Sequence, residues 1–241
     1  MYGPADFDLC AAVGDDAIFE ACLCRSPDIA TGALGVRQFP SYASAASALS
    51  AALDSISAPV VIIPHQDVYL PRGFADNLAR QLTALEAIDH DWAVVSCIGI
   101  DAEGTVRGET WSSGMGKRVG VPVHGAGQVV TVDELILVVR TASGVRLDRD
   151  LPGFHLYGTD LVVAAKERSL STYVVPLPVV RHSRALVRLG KDYWRAYLHL
   201  RRRWSHRLPV PTMFGGIRHS LMPLARVDLE KIARKLGYEK S

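Results

Sequence analysis

The residues best equipped for chemistry follow a run of apolar side chains. Val60-Val61-Ile62-Ile63-Pro64 leads directly into His65-Gln66-Asp67-Val68. A β-branched apolar run reads as a strand buried on both faces. An acid just past the C-terminal end of such a strand lies where open α/β sheets bind ligands. One carboxylate there, beside an imidazole, suits a divalent cation or a phosphate-bearing substrate held through one. Asp67 reads equally as a turn or capping residue ahead of a helix starting near Arg72. Asp133 and His182 also follow strand-like runs. Asp160 opens a helical stretch after Pro152-Gly153-Phe154-His155-Leu156-Tyr157-Gly158-Thr159, where it or Thr159 could simply be a cap.

These positions need elements to hold them. Phe7 to Val13 reads as a first strand ending at Gly14-Asp15-Asp16, with a helix over about 17–24. Val36 to Phe39 fits a second strand, and Ser44 to Ser55 a helix capped by Ser41 or Ser44. A long amphipathic helix over 73–87 aligns Phe74, Leu78, Leu82 and Leu85, and Trp92 to Ile100 is another buried strand. This alternation predicts an α/β fold with a mainly parallel sheet and right-handed crossovers. Between Asp101 and Gly127, glycines at 104, 108, 114, 116, 120, 125 and 127 predict an irregular region with an edge hairpin. Strands around Asp133-Glu134 and over 173–180, and helices over 160–169, 186–203 and 227–236, complete the expectation. Gly14 stands without the further glycines of a dinucleotide fingerprint or the lysine of a P-loop, which disfavours both readings.

Composition narrows the classes. No apolar run approaches the roughly 20 residues that span a bilayer, and the first residues lack a basic start and an apolar core. The expected compartment is therefore the cytoplasm. Cys22 and Cys24 are two apart with no second close pair, so all four cysteines read as small core residues. The net charge of +2 hides a split: residues 181–241 hold 15 Lys and Arg against 4 Asp and Glu, a net +11, leaving −9 on residues 1–180. The basic segment interleaves Arg188, Arg195, Arg201, Arg202 and Arg203 with Tyr193, Trp194, Tyr197 and Trp204. That pattern suits an anionic membrane surface or a lipid-linked diphosphate. A dimer interface and docking onto the acidic body are the competing readings. No nucleic-acid module accompanies the charge, so nucleic acid is not an expected partner.

Taken together, the order of motifs resembles a family 2 glycosyltransferase with the GT-A fold. It is most similar to a small branch related to streptomycin-biosynthesis glycosyltransferases, in which an HQDV-type segment replaces D-x-D. The motifs are the strand with HQDV at 60–68, VDE at 132–134, LDRDLPGFHLYGTDLVVAA at 147–165 and VVPLPVVRHSR at 174–184. The resemblance covers about residues 7–185, making 1–185 a GT-A-like domain and 186–241 a basic helical extension. It implies sugar transfer from a nucleotide-diphospho-sugar to an acceptor hydroxyl with inversion at the transferred carbon. The acceptor would be a glycan, a lipid-linked molecule or a small molecule.

By the same resemblance, Asp67 and His182 would hold the metal or the diphosphate. His65 stands where the first acid of the family motif usually is. A His–Asp pair would favour Mn²⁺ over Mg²⁺, because imidazole suits the softer ion. Asp15 and Asp16 would contact the nucleobase, with helix capping as their alternative. Asp133 would order the donor sugar. Asp160 would be the general base, kept ionised by the helix dipole. His155 and Tyr157 would meet the acceptor or pack the loop, and Trp111 would stack on a sugar face or be a partly buried aromatic. Two other readings stand beside this one: a catalytically degenerate GT-A domain that binds carbohydrate or nucleotide as a scaffold, and a nucleotidyltransferase on a related sheet.

Overall fold

The computed structural model describes residues 1–40, 42–182 and 189–222. Its strands are β1 (Phe7–Val13), β2 (Val36–Pro40), β3 (Val60–Pro64), β4 (Val68–Tyr69), β5 (Trp92–Ser96), β6 (Ile98–Ile100), β7 (Val106–Ser112), β8 (Lys117–Val121), β9 (Gly127–Gln128), β10 (Thr131–Val132), β11 (Ile136–Arg140), β12 (Ser171–Val174) and β13 (Val180–Arg181). The helices are α1 (Asp16–Ala21), α2 (Pro27–Ala30), α3 (Ala45–Ser55), α4 (Phe74–Glu86), α5 (Tyr157–Glu167) and α6 (Lys191–Arg203).

The main sheet has the order β2-β1-β3-β11-β5-β12-β9. β3 shows why these residues make a sheet with two covered faces. Val60 and Ile62 join one apolar core, with Leu9, Phe19 and the α4 side chains Phe74, Leu78 and Leu82. Val61 and Ile63 join the other, with Leu49, Leu53, Leu161 and Tyr197 from α3, α5 and α6. Side chains of a strand alternate between faces, so only an unbroken apolar run can serve two cores at once. The expected mainly parallel sheet holds for β2, β1, β3, β5 and β12. β11 departs from it by running antiparallel to both β3 and β5, and β9 is antiparallel to β12.

The Gly-rich region proves more ordered than its composition suggests. β6, β7 and β8 form an antiparallel meander within a second sheet of order β10-β6-β7-β13-β4. Gly108 (φ 80°) and Gly120 (φ 102°) make it possible: a Cβ would lie 2.0 Å from the Cys97 carbonyl oxygen at one and 2.1 Å from the Gly108 carbonyl oxygen at the other. The glycines there mark close strand approach as well as turns.

Two helix starts matter for the site. Ser44 caps α3 through its hydroxyl, which accepts from Ser47 N; Ser41 and the helix expected over 227–236 lie outside the described residues. α5 starts at Tyr157, three residues before the expected position, preceded by Leu156 in the left-handed region (φ 63°).

The expected boundary at residue 185 does not separate two cores. Leu189, Tyr193, Ala196, Tyr197, Leu200 and Trp204 are buried in the same cluster as α3 and α5. The aromatics of α6 that suggested a membrane face are therefore largely core, and its apolar stripe is satisfied inside the molecule. Among the described residues, no helix is long and apolar enough to cross a membrane.

Candidate functional site

The carboxyl end of β3 is where the molecule gathers its polar groups. β4 pairs antiparallel with β13, setting Val68 opposite Arg181, and His182 N donates to the Asp67 carbonyl at 2.8 Å. Asp67 and His182, 115 positions apart in sequence, are thus neighbours in space. β11 closes the other side: Ile136 pairs with Pro64, and His65 N donates to the Leu135 carbonyl at 2.9 Å. Asp133 and Glu134 come to the same strand end as His65, Gln66 and Asp67.

Asp67 is only 7% exposed. Burial would raise its carboxyl, but the His65 hydrogen bond and charge, followed by the Arg181 charge, outweigh burial and hold it below the ordinary carboxylate range. His65 Nδ1 lies 2.6 Å from Asp67 Oδ1, and Arg181 Nε lies 3.7 Å from Oδ2. That Arg181 Nε is buried without a hydrogen-bond partner in the structure. His182 Nδ1 is 2.9 Å from Ser113 Oγ. The cluster therefore combines one ionised carboxylate, two imidazoles and a guanidinium.

Beside it opens a cavity of about 290 Å³ lined by Ala12, Gly14, Asp15, His65, Gln66, Phe154 and Tyr157, among others. Gln66 locks the loop after β1: its Oε1 accepts from Gly14 N at 2.8 Å and Asp15 N at 3.1 Å. Two backbone donors on the oxygen leave the side-chain NH₂ as the end that can donate to a ligand. Asp15 caps α1, accepting from Ile18 N at 3.1 Å, while it lines the cavity. Asp16 lines a neighbouring hollow of about 270 Å³ with Phe39, Tyr42 and Phe154. The capping reading of Asp15 is thus realised, at a residue that also lines the cavity.

Tyr157 is buried, and its hydroxyl donates to the Glu134 carbonyl at 3.3 Å. His155 stacks at a tilt on Tyr193, ring centroids 5.6 Å apart. Desolvation lowers its pKa, with the His65 charge acting in the same sense. Asp133 Oδ1 accepts from Leu135 N at 3.1 Å. Trp111 stands apart from this group. It is 44% exposed on β7 and lines a separate groove with Arg118 and Pro178, so it is not part of the cavity wall.

Asp160 does not reach the cleft. It is 0% exposed. Oδ1 accepts from Trp204 Nε1 at 2.8 Å and Arg203 Nε at 3.1 Å, and Oδ2 accepts from Asp148 N at 2.9 Å. Burial raises its pKa in spite of these donors. Both oxygens are thus engaged, by Arg203 of α6, by Trp204 just beyond it and by the loop before α5. The expected base is therefore a corner post between α5 and α6. The signal for Asp160 in the sequence is the same for either role, because its partners lie 43 and 44 positions later. The residues that the sequence reading passed over are Glu134, Gln66 and Arg181, each adjacent to one it named.

No family model matches the sequence. The chain is 30% identical over 158 residues to a protein of Fuscovulum blasticum described as "ATP synthase subunits region ORF 6", a match spanning 60% of this chain and 60% of that protein. Among solved structures, it is similar to GalNAc-T7 with UDP, GalNAc and Mn²⁺ (TM-score 0.53, 9% identity, 96% of this chain and 57% of that one). It is also similar to S. aureus TarS 1–349 in complex with UDP-GlcNAc (TM-score 0.51, 12% identity, 97% of this chain and 73% of that one). The chain spans little more than half of the first of these and about 60% of the curated relative. At such identities the similarity is one of fold: this is the α/β architecture of GT-A glycosyltransferases.

Proposed function

We propose that the chain is a glycosyltransferase that moves a sugar from a nucleotide-diphospho-sugar to an acceptor hydroxyl. The observation that carries the reading is the convergence of His65, Asp67, Arg181 and His182 beside a cavity of about 290 Å³ at the carboxyl end of β3. Ligands of open α/β sheets bind at this end. The cavity has room for a nucleoside, with Phe154 offering a face and the Gln66 NH₂ a donor for a base carbonyl. Family 2 membership and inversion are what the resemblance of the sequence motifs implies, and the GT-A fold is compatible with both.

The donor set permits a divalent cation only as a partial shell. Among the described residues no three His, Cys, Asp or Glu stand together as metal ligands. Asp67 and the adjacent His65 would hold such an ion as two ligands, with the remaining positions filled by diphosphate oxygens and water, as hard cations on nucleotides commonly are; the His182 ring instead meets Ser113 Oγ. When bound, the ion would neutralise the departing diphosphate. The chain's own contribution there is Arg181, a fixed positive charge beside the carboxylate, placed to bind phosphate oxygens as guanidinium groups do. GalNAc-T7 is described with UDP and Mn²⁺, which supports the same ligand class here.

The test is release of nucleoside diphosphate from UDP-, GDP- and dTDP-sugars, with Mn²⁺ or Mg²⁺ and without either. Release or saturable binding of at least one donor is expected. Failure of all of them to bind or react would remove the reading.

A further inference from the structure

Glu134 is a further carboxylate at the carboxyl end of β3, beside Asp133. It sits two residues before β11, which pairs with β3, so it lies at the same strand end as Gln66. One oxygen is fixed: Oε1 accepts from Gly158 N, in the first turn of α5, at 3.2 Å. Glu134 Oε2 hydrogen-bonds none of the described residues, and the residue is partly exposed. Gly158 makes the approach possible. A Cβ at 158 would lie 3.2 Å from Glu134 Cγ and 3.3 Å from Oε1, tighter than ordinary van der Waals contact. The missing side chain on the helix is the space that the glutamate fills. Tyr157, next to Gly158, lines the cavity and ties its hydroxyl to the Glu134 backbone.

Resting on the glycosyltransferase reading, we propose that Glu134, held over Gly158 at the start of α5, is the general base that takes the proton from the acceptor hydroxyl. In that step the acceptor O–H bond breaks and its proton goes to Glu134. The acceptor oxygen forms a bond to the sugar's anomeric carbon. The bond from that carbon to the diphosphate oxygen breaks, and the nucleoside diphosphate leaves with the electron pair. Glu134 then gives its proton to water.

The electrostatics agree with the geometry. Burial, and next the Asp133 charge, raise the Glu134 carboxyl to about 8, against the Gly158 N–H and Arg181, which lower it. Tyr157 and, from α6, Tyr193 also face the group, both neutral well above that range. A base that titrates near neutral pH is a strong proton acceptor that still has an ionised fraction.

The experiment uses the full chain and nucleotide sugars with water as acceptor, following nucleoside diphosphate release while calorimetry measures donor affinity. Glu134→Gln preserves an acceptor for Gly158 N. It is expected to lose about 10²–10⁴-fold in turnover with donor affinity within about twofold. Wild-type turnover should rise with pH through about 8, and that rise should vanish in the variant. Gly158→Ala, which keeps the carboxylate and crowds it, should lose turnover to an intermediate degree. Should Glu134→Gln not fold, Glu134→Asp, which withdraws the carboxylate by one methylene, provides the same reading. Wild-type turnover retained in Glu134→Gln, or in the Asp variant, would overturn the base while leaving the transferase reading intact. No donor bound or cleaved by the wild-type protein would overturn the transferase reading, and the base with it.

Discussion

Two groups of acids flank α5, and they are built on opposite plans. At the inner group, Asp160 and Asp148 are saturated: Arg203 and His199 of α6, Trp204 just beyond it and the Asp148 N–H take up their oxygens. At the strand end, Asp67, Asp133 and Glu134 stand near a cavity lined by His65, Gln66 and Tyr157, and Asp67 is paired with His65 and with the Arg181 guanidinium, while one Glu134 oxygen accepts from Gly158 N. A carboxylate whose acceptor sites are all filled from within the fold holds elements together. One with a free oxygen beside a hollow can meet something from outside. The residue type and the position near a helix start are shared by both groups, so accessibility decides the role.

The comparison breaks most sharply at Asp160. Asp160→Ala leaves the buried Trp204 N–H without its acceptor, while the exposed Arg203 keeps Asp148; an unsatisfied buried donor costs about 1–3 kcal/mol. Urea denaturation should show that loss, while donor affinity of the folded fraction stays near wild type. A stable Asp160→Ala protein that binds donor but cannot transfer would contradict the division drawn here.

The open group should give the reverse pattern. Asp67→Asn removes a charge-assisted hydrogen bond worth about 1.5–3 kcal/mol and the negative partner of His65 and Arg181. Its folded pKa is depressed, so its stabilising effect is present above the ordinary carboxylate value and fades as pH falls through the lowered one. The acid limb of stability should be shallower in the variant, as denaturation at pH 3 and pH 7 would show.

Glu134 has the opposite sign. Its carboxyl is raised from 4.5 to about 8, so ionisation opposes folding and stability declines as pH climbs between those values. Glu134→Gln should match wild type in thermal stability at pH 4 and exceed it at pH 9. A variant less stable at both would place Glu134 with the structural acids.

The smallest effect belongs to Gln66. Gln66→Ala frees two exposed backbone donors, at about 0.5–1.5 kcal/mol, and should weaken donor binding several-fold without changing the metal dependence of turnover.

Much of this architecture was legible in the sequence because apolar patterning carries it. The run at 60–64 had to be a strand with two covered faces, and the acid beyond it had to sit at the binding end of a sheet. The antiparallel β11 was not legible, since VDELILVVR reads as a buried strand in either direction. Neither was the destination of the basic segment. Arginine interleaved with aromatics looks alike whether the aromatics meet lipid or a core, and only the positions of Asp148, Asp160 and Glu167 reveal that Arg203 and Arg207 have partners inside the molecule. Asp133 drew the eye ahead of Glu134, although a charged pair opening an otherwise apolar strand marks both residues as standing at an element's edge. Gly158 held the further clue, but its meaning depends on a neighbour 24 positions away.

The most direct test is calorimetric titration of UDP-, GDP- and dTDP-sugars, with Mn²⁺ present, into the full chain and its Asp67→Asn and Gln66→Ala variants. The account predicts saturable binding of at least one donor, lost on Asp67→Asn and weakened on Gln66→Ala. Binding that ignores both substitutions, or the absence of binding to any donor, would contradict it.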